Sequence, residues 1–173
     1  MRFALQLCFV AVAKDARNMA VLSWEQVDNR VGRGTVSALS NKMLANTSKP
    51  VAQPAMLVLE DGTAFWGTAC GALGEAFGEI CFNTSLEGYF EVITDPSYAG
   101  QIVAMTYPQI GNYGVCLQDA QADRVALRGL VVRDLCTTPC SWRSDLPLHE
   151  YLKAQGVVAI EGIDTRALVR HVR

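Results

Sequence analysis

From about Met56 onward the chain reads as short apolar runs separated by turn signals. Residues 56–60 are apolar and strand-like, Asp61-Gly62 follows, and residues 63–68 return. An Asp-Gly pair between apolar runs predicts a hairpin, because both turn positions tolerate positive φ. Gly67, Gly71, Gly74 and Gly78 punctuate the next stretch. They lack the GxGxxG spacing and the GK[ST] ending of phosphate-binding loops, so a loop into the next strand is expected. Residues 79–84 (EICFNT) form a short apolar strand pattern. Residues 88–94 (GYFEVIT) place Tyr89, Val92 and Ile93 at helical offsets, which predicts a helical turn. Asp95-Pro96-Ser97-Tyr98 ends it, since proline forces the residue before it to be extended.

Residues 101–107 (QIVAMTY) read as a buried strand stopped by Pro108, residues 111–114 (GNYG) as a loop, and residues 125–133 as a strand. Gly129 in that strand marks a bulge or a close backbone approach. Residues 146–155 (LPLHEYLKAQ) are amphipathic, with Asp145 expected as N-cap and Gly156 as the stop. Residues 157–160 form a strand, and Asp164 caps a last helix over 165–173, with Leu168 and Val172 four apart on one face. Strands first, then alternation of helix and strand, predict an α/β layered domain with a mixed sheet.

Residues 1–53 carry no such pattern. Residues 3–13 are apolar, and a mixed polar run follows through Arg30-Val31-Gly32-Arg33-Gly34 to Asn46-Thr47-Ser48-Lys49-Pro50. The expected organisation is therefore a poorly ordered or non-conserved leader over 1–53 and one domain over 54–173. Arg2, an apolar core and Ala11-Val12-Ala13 resemble a secretory signal, although Gln6 interrupts the core. A start at Met43 or Met56 is the alternative expectation. At the other end the sequence stops inside a helix with no Gly or Pro to close it, so a piece of a longer protein is expected.

Half of the 173 residues are hydrophobic and 18% are charged, a globular composition. No apolar run approaches the roughly 20 residues of a membrane-spanning helix. A net charge of −2 argues against a general nucleic-acid binder. The charge is unevenly placed, +4 over residues 1–53 and −6 over the remainder. The six cysteines, Cys8, Cys70, Cys81, Cys116, Cys136 and Cys140, contain no CxxC pair, and there are two histidines, so a zinc site is poorly supported. Reduced thiols in a cytoplasmic protein are expected. The competing class is a secreted, disulfide-stabilised binding module, and a free-thiol count separates the two.

Candidate chemistry is sparse. Residues 114–118 (GVCLQ) approach the G-x-C-x-G elbow of a thiol nucleophile, but Gln118 replaces the second small residue that the strained turn needs. Residues 119–123 (DAQAD) are too polar and short for the helix that should follow, and no His-x-Glu pair exists to activate Cys116. His149 and His171 are general bases in principle, yet neither lies near a nucleophile motif, so placement on a helix face is expected. Glu60 and Asp61 point to opposite faces, and Asp61 is needed for the turn. Arg166, Arg170 and Arg173 share one helix face, either solvated or part of an inter-domain contact.

Several segments, taken together in order and spacing, carry a family resemblance: residues 57–63 (LVLEDGT), 78–85 (GEICFNTS), 88–89 (GY), 94–98 (TDPSY), 101–108 (QIVAMTYP), 111–114 (GNYG), 129–134 (GLVVRD) and 162–166 (GIDTR). The chain from about Met56 to its end resembles the N-terminal domain of the carbamoyl phosphate synthetase small subunit. That resemblance implies a three-layer β/β/α fold and an enzyme, a ligase, making carbamoyl phosphate from bicarbonate, glutamine and ATP for arginine and pyrimidine synthesis. It implies a large subunit as partner, which binds the ATP and magnesium, so no cofactor is expected on this chain. It implies that the glutaminase Cys, His and Glu lie in a separate C-terminal domain, leaving this chain without catalytic residues. The one substrate contact it implies here is Ser97, whose hydroxyl touches glutamine; read without the resemblance, Ser97 is an ordinary turn residue. A third class, an independent regulatory domain using the fold only for interaction, stays open.

Overall fold

The computed structural model describes residues 7–12 and 53–173. The expectations for residues 1–53, a secretory-like start or initiation at Met43, otherwise lie outside the described residues. Within that stretch Leu7–Val12 forms a strand, β1, whose backbone pairs antiparallel with two neighbours.

The predicted hairpin is β2 (Pro54–Leu59) and β3 (Ala64–Ala69). Its turn is held by Gly62 at φ 86° and by the Asp61 carboxylate, which accepts the Thr63 N–H at 2.9 Å. Along β2, Ala55, Leu57 and Leu59 are buried, the period-two pattern of a sheet with one face inward. The glycine-rich stretch is not one long loop. Gly67 lies in β3, and β4 (Glu75–Asn83) begins well before Gly78. Both positions exclude a side chain: a Cβ on Gly67 would sit 2.2 Å from the Glu161 carbonyl oxygen, and one on Gly78 2.4 Å from that of Gly100. These glycines mark crossings of backbones, which is why they interrupt the apolar pattern.

Beyond β4 come helix α1 (Tyr89–Thr94), a single 3-10 turn (Pro96–Tyr98), β5 (Ile102–Met105) and β6 (Gln109–Ile110). A second 3-10 turn (Leu117–Asp119) precedes β7 (Gly129–Val131), which is shorter than the predicted 125–133, and β8 (Asp134–Leu135). Gly129 is the expected close approach: a Cβ there would meet Ile102 and the Val158 carbonyl at 3.4 Å. Helix α2 (Leu148–Ala154), β9 (Val158–Glu161) and helix α3 (Thr165–Val172) complete the chain.

The sheet is mixed, in the order β1-β2-β3-β9-β7-β5-β4, and curls until β4 meets β1. Pairs β4–β5, β5–β7 and β7–β9 are parallel, while β3–β9 is antiparallel. Central strands are buried on both faces. Ile102 and Ala104 point into the core enclosed by the curl, with Leu57, Ile80, Val131 and Ile160. Val103 and Met105 point outward, into a second core under α1 and α2 with Phe90, Ile93, Leu148 and Leu152. Two facing halves of sheet with helices over one of them make the β/β/α layering and the α/β class expected.

Helix α3 starts as predicted, with Asp164 accepting the Ala167 N–H at 3.0 Å, and its Leu168 enters the enclosed core. Helix α2 does not start as predicted. Pro147 takes the N-cap position, and the Asp145 carboxylate instead accepts the Leu117 N–H at 2.8 Å, a contact 28 residues away.

Candidate functional site

Ser97 sits on the exposed tip of the 94–100 segment. The chain leaves α1 because Asp95 precedes proline and is extended, at φ −72° and ψ 120°. The Asp95 carboxylate then accepts the Ser97 N–H at 2.8 Å and caps the 3-10 turn. On the far side the Tyr98 hydroxyl accepts from the Asn83 amide at 3.0 Å, and Asn83 also accepts the Ser85 N–H at 2.8 Å. Upstream, the buried Thr94 hydroxyl donates to the Phe90 carbonyl at 2.9 Å and accepts the Gln121 N–H at 3.0 Å. The turn is therefore anchored to β4, to α1 and to the 117–121 segment, while its serine faces outward.

This geometry suits binding rather than nucleophilic attack. The Ser97 backbone N–H, and after it the Ser97 hydroxyl, hold the Asp95 carboxyl below the usual carboxylate range. A carboxylate stabilised in that way is a poor general base, and an alcohol needs a strong one to attack. A hydroxyl on a pinned turn supplies one oriented hydrogen-bonding group at low entropic cost.

The other sequence candidates separate from Ser97. Cys116 is extended, at φ −112° and ψ 108°, with one 3-10 turn behind it, so no strained nucleophile elbow forms. Its sulfur faces the Arg143 guanidinium at 3.4 Å, and Arg143 also pairs with Asp119 at 2.8 Å. His171 is tied to Asp61 at 2.6 Å, clipping α3 to the β2–β3 turn. His149 lies on α2, 4.0 Å from Glu150, and burial lowers its pKa. Arg166, Arg170 and Arg173 are exposed. Cys70, Cys81, Cys116, Cys136 and Cys140 are free thiols. Burial pushes the Cys81 thiol up to about 11 and the Cys70 thiol higher still, which disfavours the reactive thiolate at both. Among the described residues, no group of three or more His, Cys, Asp and Glu side chains is placed to hold a metal, and no helix is long and apolar enough to cross a membrane.

A cleft of about 510 Å³ lies between the start of α1, the 111–114 loop and residues 141–143. Ser97 does not line it. Its wall is organised by Tyr113, whose hydroxyl oxygen accepts the N–H groups of Gly88 and Tyr89, each at 3.0 Å. Burial raises the Tyr113 phenol, and the nearby Glu91 charge adds to the effect, so the hydroxyl keeps its proton. Sequence reasoning missed this cleft. Its residues are spread from Leu86 to Arg143, and the segments that hold several of them, among them 88–89 and 111–114, were read separately rather than as one site.

A sequence model described as "Carbamoyl-phosphate synthase small chain, CPSase domain" matches residues 57–173. Three curated relatives named carbamoyl phosphate synthase small chain are similar over the same extent. That of Xylella fastidiosa is 58% identical over 121 residues, covering 70% of this chain and 32% of the relative. That of Syntrophotalea carbinolica is 55% identical over 119 residues, covering 69% and 32%. That of Thermotoga maritima is 52% identical over 123 residues, covering 71% and 31%. The chain spans about a third of the length of the curated relatives it matches.

Proposed function

The chain belongs to the carbamoyl-phosphate synthase small chain family, and from that premise we propose that residues 54–173 act as a binding and docking domain in glutamine-dependent carbamoyl phosphate synthesis. In this reading Ser97 contacts the glutamine that is hydrolysed, while the thiol that attacks the amide belongs to a separate glutaminase domain. The ammonia released passes to a large subunit that binds ATP and magnesium, in the cytoplasm, and the product serves arginine and pyrimidine synthesis.

The observation that carries the reading is the pairing of an exposed hydroxyl with a turn anchored on both sides, where the adjacent Asp95 carboxyl is held below the usual carboxylate range and so is a poor base for activating it. The shared length supports it as well. A domain covering about a third of its relatives leaves room in them for a glutaminase part. The sparse chemistry fits a role in holding rather than breaking bonds: Cys116 lacks an elbow, and Cys70 and Cys81 are held as thiols.

The test is direct. The purified chain, incubated with glutamine, releases no ammonia above the uncatalysed rate. Ammonia release that persists in the chain alone, and disappears in Cys116→Ser, would overturn the reading and make this domain a glutaminase.

A further inference from the structure

A turn can be rigid within itself and still swing as a unit, which misplaces whatever it carries. The backbone hydrogen bonds of residues 96–98 fix only the shape of their turn. The Ser97 N–H goes to the Asp95 carboxylate at 2.8 Å and the Tyr98 N–H to the Asp95 carbonyl at 3.2 Å. The Pro96 and Tyr98 carbonyls accept from Ala99 and Gln101, at 3.0 and 3.1 Å. Every one of these partners lies within residues 95–101. Thr94 and Gly100 tether the flanks, to Gln121 and Ala126, at 3.0 and 3.1 Å. Among the described residues, one hydrogen bond ties the tip itself to another element: the Tyr98 hydroxyl accepts from the Asn83 amide at 3.0 Å.

Asn83 is a fixed post for that bond. It ends β4, pairs with Met105 of β5, and its carbonyl accepts the Thr106 N–H at 3.0 Å. Its side-chain amide has one orientation that serves both neighbours. The Ser85 N–H can only donate, so the amide oxygen faces it at 2.8 Å and the amide nitrogen is left to face Tyr98. The Tyr98 ring meanwhile packs against the core under α1 and α2. A side chain anchored in the sheet thus grips the residue that follows the serine.

Resting on the reading of Ser97 as a glutamine contact, we propose that Asn83 is a positioning residue for that contact: through the Tyr98 hydroxyl it sets where Ser97 stands relative to the sheet. Asn83 touches no substrate in this arrangement. Without its grip the turn stays folded, since its internal bonds remain, but the tip is free to shift. Glutamine must then order it on binding, which weakens binding by about fivefold.

The experiment uses the complete small subunit assembled with its large subunit, and compares glutamine-driven with ammonia-driven synthesis. Tyr98→Phe removes only the hydroxyl. It raises the KM for glutamine about fivefold, keeps kcat, and leaves the ammonia-driven rate at the parent value. Asn83→Leu breaks the same bond from the other end and raises KM likewise, which keeps the test intact if Tyr98→Phe fails to assemble. The double variant is no worse than Asn83→Leu alone, and neither substitution raises KM further in a Ser97→Ala background. A loss of stability alone would lower both rates and would not vanish with the serine. An unchanged KM in the single variants, beside a raised KM in Ser97→Ala, overturns the positioning role and leaves the Ser97 reading standing. A rise that persists in full in the Ser97→Ala background also overturns it, because the pair then acts on glutamine independently of the serine. An unchanged KM in Ser97→Ala itself removes the Ser97 reading and the positioning role with it.

Discussion

Tyr89 and Tyr113 hold each other across 24 residues of chain: their rings stack at 4.1 Å, and the Tyr113 hydroxyl oxygen accepts the Tyr89 N–H at 3.0 Å. The Tyr89 hydroxyl donates in turn to the Gly114 carbonyl at 2.6 Å. A short helix with glycine at its N-cap has no side-chain cap of its own, so the loop supplies one. Tyr113→Phe keeps the stacking and removes the acceptor for both Gly88 and Tyr89. The expected loss is about 1–3 kcal/mol, the cost of leaving partly buried donors unmet. Urea unfolding measures it, and a midpoint equal to that of the parent chain would show that water replaces the hydroxyl freely.

Close backbone crossings make a second prediction. Gly67→Ala places its methyl 2.2 Å from the Glu161 carbonyl and 2.9 Å from Ile160, between β3 and β9. Overpacking of this kind costs about 1–3 kcal/mol, or more where backbone must move. Gly62→Ala is the control, because nothing lies within 4 Å of its added methyl. There only the positive φ of 86° opposes the change, at roughly 1–2 kcal/mol. Thermal unfolding of the two variants should rank Gly67→Ala as clearly the less stable.

Much of this architecture was legible in the sequence, and the misreadings share a cause. Asp61-Gly62 announced its hairpin, and Asp164 announced the start of α3, because both act on neighbours within three residues. Gly78 hid the first half of β4, since the reason for a glycine there is the passing Gly100 backbone. Asp145 looked like the cap of α2 but is used by Leu117, far away in sequence. The same limit applied to the sites. Ser97 stood out through the ordered set of short segments around it. The cleft beside Glu91 did not, because it depends on a tyrosine 22 positions later accepting the Gly88 N–H at the start of α1.

Glu161 sets the sign of a pH dependence. Its carboxyl is partly buried at the end of β9, and burial raises its pKa, with Asp134 adding to the rise and the Leu135 N–H opposing it. The folded state therefore holds this proton more tightly than the unfolded chain does. The group contributes stability below its unfolded pKa of roughly 4.3, and that contribution is lost as pH rises through the higher folded value. Glu161→Gln keeps an acceptor for Leu135 and removes the titration. Urea midpoints should be higher for Glu161→Gln than for the parent at pH 7 and should converge near pH 4. A parent chain whose advantage grows with pH across that range would contradict the assignment.

The central claim is that Ser97 reaches glutamine while taking no part in bond cleavage. It is tested most directly by Ser97→Ala in a complete small subunit assembled with its large subunit, comparing synthesis driven by glutamine with synthesis driven by free ammonia. The account predicts a KM for glutamine raised roughly tenfold or more, as expected for loss of a hydrogen bond to a charged substrate, with kcat largely kept and the ammonia-driven rate unchanged. An unchanged KM, or a kcat that collapses at saturating glutamine, would contradict it.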